Sequence, residues 1–384
     1  MNTPIGSVLA SDHVEMATDT GEVAALAPEW RSLAERRGDA FLTPEWFLAW
    51  LRHCGRGWKP HVAVVRTPDG RLRGLLPLVS SESKGARDLR VCPIGDRFEP
   101  VADPADEEEV AIAVAPAIAT PEQGLRSLLL ENVEAEGKWW RALARASSVP
   151  LATVDRGEAT LPFVELGGIG WEEYLAGRSR QLRSQLRRKL RSLRKEHDVR
   201  FRRTRSPDEV ADDLATLFRL HDARWADRPD SSAIADPQIR EFHHEFASAA
   251  FERGWLRLCV MEVDGAPIAA LYGWLIGGRF SYYQAGFDPD WSHHSPGFLL
   301  LGETIRGAIE EGATEYDMLR GDEAFKRRFA TSSRAVRTIL LAPRGNPAHI
   351  NAAAVDRLRR AWRTLPARPR AGARRLASRL GAGR

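Results

Sequence analysis

The sequence predicts an α/β (α+β) protein of two similar units in tandem, each a mixed, mostly antiparallel twisted sheet flanked by helices. Three observations predict it. The chain has 384 residues, the length of about two ordinary domains. A hydrophobic share of 43%, with 12 Trp and 14 Phe, supplies enough apolar material for two cores. One order of elements, two helices followed by a hairpin with Asp-Gly in its turn, occurs twice, about 195 residues apart.

In the first unit, Val23, Leu26, Trp30 and Leu33 recur at helical spacing and predict a helix over 22–37. Its firm part is expected from Pro28 onward, because proline interrupts the preceding turn. Thr43-Pro44-Glu45 ahead of Trp46, Phe47 and Trp50 predicts a second helix, capped by Thr43 with Pro44 at its first position. Residues 61–79 are two apolar runs around Asp69-Gly70, the pattern of a hairpin. A strand over 89–95, a helix near 105–119 and a strand over 125–133 complete the unit, which ends near residue 168.

The second unit, 169–343, opens with a basic helix over 178–197. Its Leu182, Leu186, Leu190 and Leu193 form one apolar stripe, and Arg and Lys cover the rest of the surface. Helices over 208–225 and 236–252 and a hairpin over 256–276, turning at Asp264-Gly265, repeat the earlier order. A strand through Phe280 and Tyr282, a helix over 295–312 and a strand from Tyr316 follow. Residues 344–384, rich in Arg, Ala, Pro and Gly, show little apolar repeat and are predicted to be partly disordered.

The formal net charge of +4 hides an uneven distribution. Residues 178–205 carry a net of +11 and residues 344–384 a net of +10, which leaves −17 on everything else. The body is therefore acidic, and the pI of about 9.1 says little about nucleic acid. No apolar run is long enough to span a membrane. The N-terminus has neither the basic start nor the apolar core of a secretory signal. Cys54, Cys92 and Cys259 stand far apart, without a CxxC pair, so the expected setting is the reducing cytoplasm, with no metal site. The absence of HExxH, GxSxG, a Walker loop or a GxGxxG set argues against zinc, serine-hydrolase and P-loop chemistry.

Three segments could carry function. The first, the basic stretch 178–205, could grip the phosphates of a nucleotide cofactor, an acidic polymer or RNA, or simply be a solvated helix face. The other two could carry chemistry. Gly286-Phe287-Asp288-Pro289 closes a strand, and Ser295-Pro296-Gly297-Phe298 opens a helix whose unbonded N–H groups suit a pyrophosphate. Ser295 as a plain helix cap is the structural alternative. His293 and His294 stand beside this point as a base, as phosphate contacts or as simple loop residues. The third segment, Asp317 to Phe329, gathers charge at the end of a strand. There Asp322 or Glu323 could take a proton, and Arg320 and Lys326 could hold an anionic acceptor, unless these charges merely pair with one another. Tyr283 as an acid and Gln284 as an acceptor contact are weaker candidates.

The string from Ser281 to Phe329 resembles the GNAT-fold acetyltransferases of the CelD/BcsL-like type associated with cellulose and polysaccharide biosynthesis. That family's G-F-D-P element, S-P-G helix start and D-x-L-R-G-D-E-x-[YF]-K element stand in order at Gly286 to Pro289, Ser295 to Gly297 and Asp317 to Lys326. Residues 43–53 and 179–193 also resemble it, so the likeness covers about 40–343.

The resemblance implies tandem GNAT-like domains related to the FemAB aminoacyltransferases. It also implies acetyl-CoA or another acyl-CoA as donor, with its pantetheine between two splayed strands and its pyrophosphate at Ser295 to Gly302. Backbone N–H groups of the cleft strand would polarise the thioester. The acceptor would be a small molecule or a glycan or peptidoglycan precursor, N- or O-acylated. Where related proteins carry a Q/R-x-x-G-x-G/A loop, this chain has Gly297 as its one glycine between Asp290 and Leu299. Two rival readings stand beside it: an aminoacyl-tRNA donor gripped by the basic helix, and a noncatalytic binding module of a polysaccharide-assembly complex.

Overall fold

The computed structural model describes residues 12–83, 86–119, 124–225 and 234–346. Most of the Arg-rich segment 344–384, with its expected disorder, lies outside them. The first copy runs β1 (His13–Ala17), α1 (Thr20–Arg37), α2 (Pro44–His53), β2 (Lys59–Arg66), β3 (Leu72–Ser83) and β4 (Ala86–Val91). It continues through a two-residue β5 (Val101–Ala102), α3 (Glu107–Ile118), β6 (Leu125–Glu134), α4 (Trp139–Ala146) and β7 (Leu151–Glu165). Helices α5 (Trp171–Ala176) and α6 (Arg180–Glu196) lead into the second copy. That copy runs β8 (Val199–Arg203), α7 (Pro207–Trp225), α8 (Pro237–Glu252), β9 (Leu256–Val263), β10 (Ala266–Ile276) and β11 (Arg279–Phe287). It ends with α9 (Pro296–Glu310), β12 (Glu315–Asp317), α10 (Ala324–Phe329) and β13 (Ser332–Pro343). Apart from β5, the two series match element for element.

All strands join one sheet, in the order β1-β2-β3-β4-β6-β13-β7-β12-β11-β10-β9-β8, with β5 on β3. The copies exchange their last strands: β13 lies against β6, and β7 lies against β12. At the centre β7 and β13 pair antiparallel from Phe163↔Ser332 to Leu151↔Pro343. In each copy the sole parallel pairing among its own strands, β4 with β6 or β11 with β12, is bridged by a helix. Aromatic packing joins the copies elsewhere: the Trp46 ring of α2 lies 4.7 Å from both Phe242 and Phe246 of α8.

Pro28 does not delay α1, which starts at Thr20. Asp19 and Glu22 form a reciprocal capping box there, and burial of Val23 and Leu26 holds the first turns despite the hydrogen bond that proline removes. Gly38, at φ 64°, ends the helix in the left-handed conformation. The second hairpin turns on Asp264 (φ 51°) and Gly265 (φ 81°), the mirror-image turn that matches strand twist. Helix α6 buries Leu182, Leu186 and Leu193. Gly302 of α9 admits Leu186, since a Cβ there would lie 2.8 Å from its Cδ2.

Gly286 has a packing reason for its place in the G-F-D-P element. A Cβ there would overlap the backbone of Leu220 and His221, where α7 crosses β11. Gly286→Ala is therefore expected to cost about 1–3 kcal/mol, read as a lower urea midpoint at unchanged m-value. No helix among the described residues is long and apolar enough to cross a membrane.

Candidate active site

Strands β11 and β12 pair only from Arg279↔Glu315 to Ser281↔Asp317. Beyond Asp317 the chain follows β7 instead: Met318 N–H donates to Pro162 O at 3.0 Å and Gly321 N–H to Thr160 O at 3.2 Å. The bend is built by Leu319, at φ 56°, whose N–H donates to Asp317 Oδ1 at 2.8 Å. A non-glycine residue held in that region is strained, and such strain recurs at functional sites. The second half of β11 is thereby left without a partner on one side, and a cleft opens.

Within β11 the pairing with β10 slips by one residue at Tyr283, since Tyr282 faces Gly273 and Gln284 faces Tyr272. Such a bulge breaks side-chain alternation. The four consecutive residues Tyr282, Tyr283, Gln284 and Ala285 consequently all reach one cavity of about 340 Å³. Its other walls come from Arg320, Glu323, Phe325 and Lys326 of the diverging segment, from Arg224 of α7, and from Pro93 to Asp96 of the first copy. A second cavity, about 220 Å³, shares Arg224, Tyr282, Ala285 and Phe325 with the first and reaches Ser295, Pro296, Gly297 and Phe298. Together they make one cleft with a helix start at one end and charged side chains at the other.

The helix end is open. Ser295 sits at φ 57° and makes no side-chain cap, and the N–H groups of Phe298 and Leu299 turn back to Ser295 O. Gly297 N–H has no acceptor among the described residues, and the first turn carries no acidic side chain. Helix α3, the counterpart in the first copy, starts instead with Glu107, Glu108 and Glu109. Three carboxylates there satisfy the helix dipole and repel an anionic ligand. A Phe98↔Val133 bridge also closes the gap beyond β4 that stays open beyond β11.

At the charged end, Asp96 Oδ2 accepts the Arg320 N–H at 3.2 Å, and its Oδ1 lies 3.4 Å from Arg320 Nε. Burial raises the Asp96 pKa above the ordinary carboxylate range, with Arg320 and Lys326 pulling against that shift. Lys326 is 5% exposed, donates to Arg320 O at 2.8 Å and lies 3.2 Å from Glu323 Oε2. Arg224 donates to Ala285 O at 3.1 Å and lies over the Phe287 ring. Gln284 bonds His221, whose pKa falls to about 4 through burial and the nearby Arg224, leaving it neutral. Burial likewise raises the Tyr283 pKa, so its hydroxyl keeps its proton.

The structure gathers most of the sequence-predicted residues and sets two apart. Ser295, Pro296, Gly297 and Phe298 line the narrower cavity, and Tyr283, Gln284, Arg320, Glu323 and Lys326 line the wider one. Asp322 is on neither wall; it pairs with Arg327 at 2.6 Å and is 59% exposed. His294 is also on neither wall, with its ring 3.9 Å from that of His293 and 5.6 Å from that of Trp291. Sequence reasoning missed Asp96, Arg224 and His221. For Asp96 a signal existed: Gly95-Asp96-Arg97 follows an apolar strand as Gly321-Asp322-Glu323 does in the second copy.

The cleft thus combines a splayed parallel pair, a bulged strand beside it and an open helix start. Residues 180–327 match the model of an acetyltransferase (GNAT) domain, so this segment is similar to acyltransferases of that type. Among solved structures, FemX superposes at TM-score 0.62 with 12% identity, covering 84% of this chain and 97% of that one. The C-terminal domain of a putative lysylphosphatidylglycerol synthetase from Agrobacterium fabrum gives 0.54 and 15%, covering 87% and 96%. L-PGS from Bacillus licheniformis gives 0.51 and 14%, covering 88% and 96%. At such identities the likeness is one of fold. No curated protein sequence matches the chain.

Proposed function

We propose that the protein transfers an acyl group, acetyl in the simplest case, from a coenzyme A thioester to a small polar acceptor, with Asp96 as the base. The supporting observation is the cleft that runs from the open α9 start to Asp96 and its partner Arg320. A diphosphate fits the α9 start, because Gly297 N–H is unbonded there and no carboxylate stands in its first turn. The thioester supplies an activated carbonyl. Asp96 takes the proton of the attacking amine or hydroxyl as the new bond to the acyl carbon forms, the C–S bond breaks and the thiolate leaves. Arg320 and Lys326 hold an acceptor bearing carboxylate or phosphate, and Glu323, paired with Lys326, is the second carboxylate within reach.

On this reading the second unit, 169–343, binds the donor, and the first, 1–168, supplies the wall that carries the base. The acceptor class suggested by the sequence resemblance is a glycan or peptidoglycan precursor made in the cytoplasm, within polysaccharide or cell-envelope biosynthesis. Calorimetry with acetyl-CoA tests the donor directly. Gly297→Asp places a carboxylate at the helix start and should weaken coenzyme A binding at least about tenfold, some 1.4 kcal/mol. Unchanged affinity in that variant would remove the α9 start from the donor site.

An aminoacyl-tRNA donor is the second reading. It is favoured by the exposed cations Arg187, Arg188, Arg191, Arg194 and Lys195 of α6, the helix whose Lys189 donates to His293 O at 3.0 Å beside the cleft mouth. Activity lost on RNase treatment and falling steeply with salt would establish it; full turnover with a free thioester would dismiss it. A noncatalytic module would bind neither donor.

A further inference from the structure

A separate groove of about 280 Å³ runs along the C-terminal half of α9, between that helix and strands β8 and β9. It shares no lining residue with the reaction cleft. Its floor is apolar, with Phe280 and Leu300 buried and Phe201 and Cys259 half-buried. Over it stands Gly307, in the interior of α9. A Cβ there would meet nothing within 4 Å, whereas at Gly302 on the same helix it would lie 2.8 Å from Leu186 Cδ2. Glycine inside a helix is destabilising relative to alanine, and no neighbour requires it at Gly307. What its missing side chain does is keep the groove open.

The rim carries surplus positive charge. Arg203 and Arg257 both bind one carboxylate, Glu311, at 3.0 Å and 2.7 Å. The Arg205 guanidinium, exposed on the same rim, makes no ion pair among the described residues. The other carboxylate on the wall, Glu303, is already paired with Arg306. Of the four arginines that line the groove, Arg202 is held by Asp213 and Glu262, Arg203 and Arg257 share Glu311, and Arg205 has no ion pair among the described residues.

We propose that this groove is a second ligand site, taking a small organic anion whose apolar body enters at Gly307 and whose carboxylate, sulfonate or phosphate meets Arg203, Arg205 and Arg257. The inference does not rest on the acyl-transfer reading. Anilinonaphthalene sulfonate titrated into the full chain, first alone and then with coenzyme A added, is the probe. Saturable binding of one equivalent is expected. Gly307→Leu should weaken it at least about tenfold with the thermal midpoint unchanged or raised, and Arg205→Glu should weaken it by about threefold or more. Equal affinity in the Gly307→Leu variant, loss of the probe on adding coenzyme A, or binding that never saturates would each overturn the site.

Discussion

Asp96→Asn is expected to lower kcat by about 10²–10⁴-fold while leaving coenzyme A affinity within about twofold of the parent. Asparagine keeps the size of the side chain and its acceptor oxygen for the Arg320 N–H, but it cannot take a proton. The pH profile gives a second and more specific readout. On the proposed mechanism Asp96 acts ionised, so kcat/KM should fall as pH drops through its pKa and rise above it. Because burial raises that pKa, the acid limb should lie above the ordinary carboxylate range. In Asp96→Asn the limb should disappear. Stopped assays with a CoA-thiol reagent across the pH range measure both. A variant with full turnover and an unchanged acid limb would move the base to Glu323.

Arg97→Ala should destabilise the fold by about 3–5 kcal/mol. Arg97 points the opposite way from Asp96, with its guanidinium 2.7 Å from Asp39 Oδ2 and 3.7 Å from Asp317 Oδ2. The Asp39 and Asp317 side chains are 4% and 0% exposed, so removing Arg97 leaves carboxylates in the interior without their nearest cation. Arg334, 3.9 Å from Asp317, compensates in part. Urea unfolding of Arg97→Ala and Arg97→Lys separates loss of charge from loss of shape. A cost below about 1 kcal/mol for Arg97→Ala would mean that the carboxyls protonate at little expense. The same substitution frees the backbone that presents Asp96, so turnover should drop even where the fold survives.

How much of this was legible depends on how local each cause is. Helix α7 and the second hairpin could be read within a residue or two, because apolar spacing and Asp-Gly turns act over a few positions; the first hairpin runs on past its expected end at residue 79 to Ser83. The Ser295 helix start could be read for the same reason. Its openness could not, since it depends on the left-handed Ser295 and on what its hydroxyl leaves uncapped. The Tyr283 bulge left no mark in the alternation of Phe280 and Tyr282. Asp96 did not stand out because the apolar pattern ends just before it, and it meets the rest of its cavity wall only through residues far along the chain, from Arg224 to Lys326. Asp322 and Glu323 are adjacent in sequence, yet a turn and the start of α10 put only Glu323 on the cavity wall. Spacing alone does not separate such neighbours.

The traded strands β7 and β13 tie the fates of the copies together. A chain severed in the Gly167–Gly170 link would give two pieces, each missing a strand from the middle of its sheet and baring hydrogen-bonding edges toward the other. Neither piece is a module that could be shuffled on its own. The second copy therefore depends on the first as a folding partner, even though the acidic start of α3 equips that copy poorly for an anionic donor. Dispensing with the first copy would forfeit both the neighbour that completes the second and the carboxylate it lends across the boundary.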